Sequence, residues 1–159
     1  MILDVGCGGG VYATIPRGDV NLSMDWPDRK IPNFVYADAH NLPFRSNAFD
    51  NVIAFNILEH VQNPRKCLRE MVRVGHEVTV RQDTWLNLAN YSTPEHLWFQ
   101  RRNLNFLPYP RTRIGIAISK LLRFTFTKGI PRLPRHHQLG RLLQPFLPPN
   151  QQYELVLRK

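Results

Sequence analysis

Gly6, Gly8, Gly9 and Gly10 crowd together directly after the apolar run Met1-Ile2-Leu3-Asp4-Val5. With no Cβ at Gly6, Gly8 and Gly10, a ligand can lie against bare backbone N–H groups at a helix N-terminus. A dinucleotide fingerprint G-x-G-x-x-G begun at Gly6 would need glycine where Val11 stands. Begun at Gly8, it reads Gly8, Gly10 and Ala13 and leaves Gly6-Cys7 idle between strand and fingerprint. Two carboxylates follow at suggestive distances. Asp25 ends a second apolar segment about twenty residues on, where a carboxylate can accept both ribose hydroxyls of a nucleoside laid across strand ends. Asp38 follows a third segment, in Asp38-Ala39-His40-Asn41-Leu42-Pro43-Phe44, and can accept a hydrogen bond from an adenine amino group. Side chains able to move a proton come after the fourth and fifth segments: His60, Asp83, Tyr91, Glu95 and His96. Cys7 and Cys67 form neither a disulfide framework nor a metal quartet, and His136-His137 has no carboxylate or cysteine close in sequence, so no metal is expected.

The elements that must position these residues are legible in the first half. Residues 1–5 form a short apolar run ending in glycines, which suits a buried parallel strand. Residues 19–25 alternate Val20, Leu22 and Met24 as a second strand. Residues 33–37 predict a third and residues 49–56 a fourth, with Val52, Ile53, Ala54 and Phe55 in a row. Pro64 opens a helix at its first turn, where proline costs nothing. Cys67, Leu68, Met71, Val72 and Val74 give that helix one apolar stripe, and Arg65, Lys66, Arg69, Glu70 and Arg73 its opposite face. Gly75 stops it, and residues 77–82 predict a fifth strand. Strand, short crossover, strand, repeated, is the pattern of a parallel α/β sheet.

Further along, Ser92-Thr93-Pro94-Glu95 predicts a helix start, with Glu95 closing a capping box. Ile114, Ala117, Ile118, Leu121 and Leu122 have helical spacing. Residues 124–127 predict a strand, residues 129–150 a loop with a short helical piece, and residues 153–158 a closing strand. No repeat and no linker separates two domains. One domain over 1–159 is expected, with a cofactor-binding half at 1–83 and a basic, Pro-rich substrate or partner half at 84–159.

Taken in order, Asp4-Val5-Gly6-Cys7-Gly8-x-Gly10, the acid Asp25, Ala37-Asp38-Ala39-x-x-Leu42-Pro43-Phe44, Phe49-Asp50-x-Val52 and Leu58-Glu59-His60-Val61 resemble the class I S-adenosylmethionine-dependent methyltransferases, most of all their small-molecule type 11 branch. The resemblance covers about residues 1–80. It implies a Rossmann-like, mostly parallel sheet flanked by helices, with seven strands of which the last is antiparallel. It implies that Gly6, Gly8 and Gly10 line the methionine part of S-adenosyl-L-methionine and that Asp4 braces the loop and faces the ammonium group through it. Asp25 would bind the ribose, Asp38 and the Ala39 backbone would meet the adenine, and Asn56 would border the sulfonium. The implied activity is methyl transfer to an acceptor, most readily a small molecule. His60 and His96 are the candidates for a base, with Glu59-His60 more often a packing element than a chemical one. The first strand begins at Met1, so the N-terminal helical segment that covers the cofactor in the family is expected to be missing, which would leave the site open, completed by a partner, or incomplete because the chain is a fragment. Only Val11 to Ile15 separates the glycines from Pro16-Arg17-Gly18-Asp19, so the first helix is expected to be short.

Composition bounds the rest. The chain has 159 residues, 43% hydrophobic and 21% charged, which are globular values rather than those of a disordered chain. The start lacks the basic-then-apolar layout of a signal peptide, and no apolar run reaches a membrane span, so a cytoplasmic protein is expected. Charge is unevenly placed. Residues 1–79 carry 8 Lys+Arg and 9 Asp+Glu, and residues 80–159 carry 13 and 3. A basic half of this kind is a solvated surface, or it attracts RNA, an anionic membrane surface or an acidic small substrate. RNA is favoured by the predominance of Arg over Lys, which suits phosphate, though no nucleic-acid module is present. A membrane is favoured by residues 111–126, which combine an apolar face with Arg111, Arg113, Lys120 and Arg123. A binding module built on a degenerate or truncated methyltransferase, acting through this half, is the alternative to an enzyme.

Overall fold

The computed structural model describes residues 1–7, 18–27, 30–83, 96–101, 104–109, 117 and 152–159. By its internal contacts the chain divides into two compact units, Met1–Gln82 with Tyr153–Lys159, and Asp83–Gln152.

The first unit is built on strands β1 (Ile2–Val5), β2 (Val20–Ser23), β3 (Phe34–Tyr36), β4 (Phe49–Phe55) and β5 (Gly75–Asp83), with helix α1 (Pro64–Val74) between β4 and β5. Two strands that enclose a hairpin in the second unit, β6 (Trp98–Arg101) and β7 (Asn105–Pro108), come next, and β8 (Gln152–Arg158) returns to the first sheet. The six-stranded sheet has the order β3-β2-β1-β4-β5-β8. β1 lies parallel between β2 and β4, β3 extends the sheet beyond β2, and β5 extends it beyond β4, all parallel. A single row crosses all five: Val35, Leu22, Val5, Ala54 and Val80. Leu22, Val5, Ala54 and Val80 in that row are buried, as expected of parallel strands covered on both faces.

β8 runs the other way. Arg81 of β5 donates to Glu154 at 2.7 and 2.8 Å, Arg158 donates to Glu77 at 2.7 Å, and the Lys159 N–H reaches the His76 carbonyl at 3.4 Å. As the partner number rises on β8 it falls on β5, so the terminal strand is antiparallel. The ion pairs on this face are exposed and worth about 0.2–1 kcal/mol each. The order and the reversed last strand match the expected Rossmann-like sheet. Six of the seven expected strands lie among the described residues, and the expected strand at 124–127 falls outside them.

α1 starts where Asn63 precedes Pro64. The Asn63 side chain accepts the Lys66 N–H at 3.0 Å, and proline takes a position whose N–H would be unpaired anyway. Cys67, Leu68, Met71 and Val74 are buried on the face that packs on β4. Burying side chains of this size contributes about 1.5–3 kcal/mol each. Gly75 ends the helix and begins β5 with no residue between, its N–H still bonded to the Met71 carbonyl. A Cβ there would meet a methyl of Val52 at 2.6 Å, so the close approach of α1 to β4 needs glycine.

The opposite face of α1 is covered in part by the chain after β3. Glu70 accepts the Leu42 N–H at 2.9 Å, and Arg73 donates to Glu70 and to the carbonyls of Leu42 and Phe44 at 2.8–2.9 Å. These two side chains pin the segment after β3 onto the helix. Leu42 is buried beneath them, and the rings of Phe44 and Phe49 meet edge to face at 5.0 Å.

In the second unit the helix start expected at 92–95 lies outside the described residues. Positions 98–101 form β6, paired antiparallel with β7 in the register Trp98↔Pro108 to Arg101↔Asn105. Aromatic residues here fit a pleated surface better than a helix, and the Phe99 and Tyr109 rings pack at 4.7 Å. The expected first helix at 11–15, the segments at 111–126 and 129–150 and the residues Ser92 to Glu95 lie outside the described residues, Ala117 apart. Among the described residues no helix is long and apolar enough to cross a membrane.

Candidate cofactor-binding site

Parallel strands in register bring their carboxyl ends to one edge, and the site residues sit one or two positions past those ends. Gly6 follows β1, Asp25 follows β2, Asp38 follows β3 and Asn56 follows β4. From β3 to β4 is three strand spacings, about 14 Å, which suits an elongated ligand lying across the strand ends.

The turn after β1 is tightly specified. Gly6 has φ +82, and its N–H and that of Cys7 both donate to the Leu22 carbonyl, at 2.8 and 3.1 Å. A Cβ on Gly6 would stand 2.5 Å from Cδ1 and 2.8 Å from Cβ of Ile57. The glycine therefore lets the β1 turn pass against the segment after β4. Asp4, two residues earlier in β1 and paired in register with Asn21 and Ile53, is buried. Gly8 and Gly10 lie outside the described residues.

β2 ends at Ser23, two residues short of the expected end, because the Ser23 hydroxyl accepts the Asp25 N–H at 3.0 Å and turns the chain. That turn leaves Asp25 exposed at the sheet edge. The neighbouring Trp26 stacks on Tyr36 of β3, with ring centroids 5.1 Å apart. After β3, Asp38 accepts the His40 backbone N–H at 2.8 Å, and its carboxylate is held below its ordinary range first by that bond, burial opposing, and then by the His40 side chain. An ionised carboxylate is an acceptor alone, as an amino group requires. Ala39 is buried. Asn56 adopts φ +52, a conformation asparagine tolerates, and its N–H donates to the Arg81 carbonyl at 2.9 Å, tying the end of β4 to β5. Gly6, Asp25, Asp38, Ala39 and Asn56 are thus brought to one edge, with two ionisable acceptors at the end where a nucleoside would lie. That set of groups fits S-adenosylmethionine, whose ribose hydroxyls and adenine amino group donate.

Of the base candidates, His60 is exposed in the turn after β4, where its N–H closes onto the Ile57 carbonyl at 2.9 Å. His96 lies directly ahead of β6 in the other unit. Asp83 ends β5, and Tyr91 and Glu95 lie outside the described residues. The basic segment considered for RNA or a membrane surface lies for the most part outside them too. Sequence reasoning passed over Ser23, Glu70, Arg73, His40 and Asn63. The Asp-x-His spacing at 38–40 and the Asn-Pro pair at 63–64 are turn and cap signals that could have found the last two.

Residues 3–77 match Methyltransf_11, a methyltransferase domain. An uncharacterised protein of Methanocaldococcus jannaschii is 32% identical over 80 residues, which cover 46% of this chain and 35% of that protein. Norajmaline N-methyltransferase of Rauvolfia serpentina is 45% identical over 43 residues, covering 27% and 15%. A solved S-adenosylmethionine-dependent methyltransferase from Mesorhizobium loti has 15% identity and a TM-score of 0.47, covering 99% of this chain and 90% of that one. The chain spans about a third or less of the length of the two sequence relatives. Over residues 3–77, just under half of its length, the chain is therefore similar to the methyltransferase domains of the Methyltransf_11 family, which use S-adenosylmethionine.

Proposed function

We propose that the chain transfers a methyl group from S-adenosylmethionine to a small-molecule acceptor. The observation that carries this reading is the convergence of Gly6, Asp25, Asp38 and Asn56 on the carboxyl edge of the sheet. When bound, the cofactor supplies an electrophilic methyl on a sulfonium, and its leaving group is a neutral thioether. No residue is therefore needed to protonate the leaving group. The chain's work is placement. Asp25 accepts the ribose hydroxyls, Asp38 and the Ala39 backbone hold the adenine, and the β1 turn with Gly6, Gly8 and Gly10 takes the methionine end, braced by Asp4. Asn56 borders the reacting centre. Holding an acceptor atom near attack distance and in line supplies much of the rate. A base is needed only where the acceptor carries a proton that must leave, and His60, exposed beyond β4, is the candidate in this unit, with His96 the candidate in the other. A small acceptor is supported by the likeness to an alkaloid N-methyltransferase.

The test is binding of S-adenosylhomocysteine. At a concentration 100 times Kd the gain is about 2.7 kcal/mol. In a domain of this size that raises the melting midpoint by roughly 5–10 °C. NADH is expected to leave the midpoint unmoved. Titration calorimetry then assigns the acid, since Asp25→Ala loses charge-assisted bonds worth roughly 1.5–3 kcal/mol each. A midpoint unmoved by millimolar S-adenosylhomocysteine, or equal affinity in Asp25→Ala, overturns the assignment.

A further inference from the structure

His40 lies between two elements that the reading above treats separately. Its backbone N–H and its ring Nδ1 reach the same carboxylate oxygen, Oδ1 of Asp38, at 2.8 and 2.7 Å. Its other ring nitrogen, Nε2, stands 3.1 Å from the backbone N–H of Asn63, the cap of α1. An amide N–H only donates, so Nε2 accepts. The ring proton then sits on Nδ1, where it donates to Asp38. The imidazole side chain is 17% exposed and that of Asp38 44%. The ring is thus held between helix and loop while the carboxylate keeps access to solvent.

Two donors on Oδ1 fix the direction of the carboxylate. Oδ2 accepts no hydrogen bond from any described residue. We propose that His40 is a positioning residue for purine selection: by occupying Oδ1 from a ring anchored on the α1 cap, it presents Oδ2 to the 6-amino group of an adenine and against the 6-oxo group of a 6-oxopurine. The proposal rests on the reading of Asp38 as the adenine contact. Its chemistry is that of any fixed carboxylate facing a base edge. An amino group donates to it, whereas an oxo group sets acceptor against acceptor and leaves both polar groups unpaired. A carboxylate free to rotate would swing away from the oxo group and discriminate less.

The experiment compares S-adenosylhomocysteine with S-inosylhomocysteine, which differ at that one position of the base, by titration calorimetry on the full chain. Wild type is expected to prefer the adenosyl ligand by tenfold or more. His40→Ala is expected to bring the two ligands within about threefold, mostly by weakening the adenosyl one. Two further variants separate positioning from mere support. In His40→Asn the amide nitrogen stands near the place of Nδ1 and can still donate to Asp38, so most of the preference is retained. In His40→Gln the amide oxygen can reach the Asn63 N–H near the place of Nε2, but the donor to Asp38 is gone and the preference falls. Long-range proton–nitrogen spectra of the wild type are expected to place the ring proton on Nδ1. Melting midpoints without ligand report folding for each variant. Equal weakening of both ligands in all three variants, a preference better kept in Gln than in Asn, or a wild-type ring proton on Nε2 overturns the proposal alone. A wild type with no preference, together with full affinity in Asp38→Ala, overturns the adenine assignment and the proposal with it.

Discussion

Replacing Gly6 with alanine tests the turn on which the candidate site is built. Two costs follow from its surroundings. At φ +82 an L-residue is strained, by about 1–2 kcal/mol. The added methyl would also lie 2.5 Å from Cδ1 and 2.8 Å from Cβ of Ile57. Cδ1 can rotate away, but Cβ moves only with the backbone, so overpacking here costs about 1–3 kcal/mol. The total, about 2–5 kcal/mol, is a large fraction of the stability of an ordinary domain. A central value of about 3 kcal/mol lowers the melting midpoint by roughly 6–12 °C.

The two costs can be separated with Ile57. In Ile57→Ala the contact to Cδ1 is gone and that to Cβ remains; in Ile57→Gly both are gone. Urea unfolding of the single and double variants gives a double-mutant cycle. Gly6→Ala is expected to be less damaging in the Ile57→Ala background by about 1 kcal/mol, and less damaging still in Ile57→Gly. A residual of about 1–2 kcal/mol, the backbone strain, remains in every background. Strict additivity, within about 0.5 kcal/mol, would refute the close approach of the β1 turn to Ile57. A Gly6→Ala midpoint within a degree of wild type would refute the left-handed turn as well.

The clamp on α1 makes a pH prediction. The Arg73 guanidinium, with burial opposing and the Leu42 N–H assisting, holds the Glu70 carboxylate below its ordinary range. A group depressed on folding contributes stability that is present above its unfolded value, about 4.3, and lost as pH falls through the folded one. Glu70→Gln is therefore expected to unfold at lower urea than wild type at pH 7, with the gap closing below about pH 4; a gap that stays constant with pH refutes the link. The cysteines should differ in reactivity. Cys67 is fully buried, and burial pushes its thiol up to about 12, whereas Cys7 is half-exposed at the β1 turn. Iodoacetamide at pH 8 is expected to label Cys7 in the folded chain and Cys67 only in urea. S-adenosylhomocysteine is expected to slow the first reaction, and equal labelling of both thiols refutes the burial of Cys67.

Much of the sheet was legible because buried parallel strands write themselves as apolar runs. β1 and β4 fall within a residue or two of their expected bounds for that reason, α1 does so through its helical periodicity between Pro64 and Gly75, and β8 through its alternation. β2 stops two residues early, since its alternation continues to Met24 while the Ser23 hydroxyl turns the backbone at Asp25. Helical periodicity also says only which face of α1 is apolar. It placed Glu70 and Arg73 on the far side and could not say that the loop at 42–44 would cover them, because their partners come from about thirty residues earlier. At 98–101 the strand was not legible, because the preference of Trp98 and Phe99 for a pleated surface is realised by pairing with β7.

The same division holds within the site. Gly6, Asp25 and Asp38 could be named from their place after a strand, Asn56 was implied by the family resemblance alone, and parallel pairing makes every strand end a neighbour of the next. What orients them is set by contacts between segments far apart in the chain: the Leu22 carbonyl under the Gly6 turn, the Arg81 carbonyl behind Asn56, and the Asn63 N–H behind His40. Two of these three partners are backbone groups in neighbouring strands, so they follow from topology whatever the side chains. The third runs through an imidazole ring and depends on histidine. Substitutions at Leu22 or Arg81 that preserve the strands should therefore leave the site's geometry in place, while substitution of His40 changes what Asp38 can do without changing the fold around it.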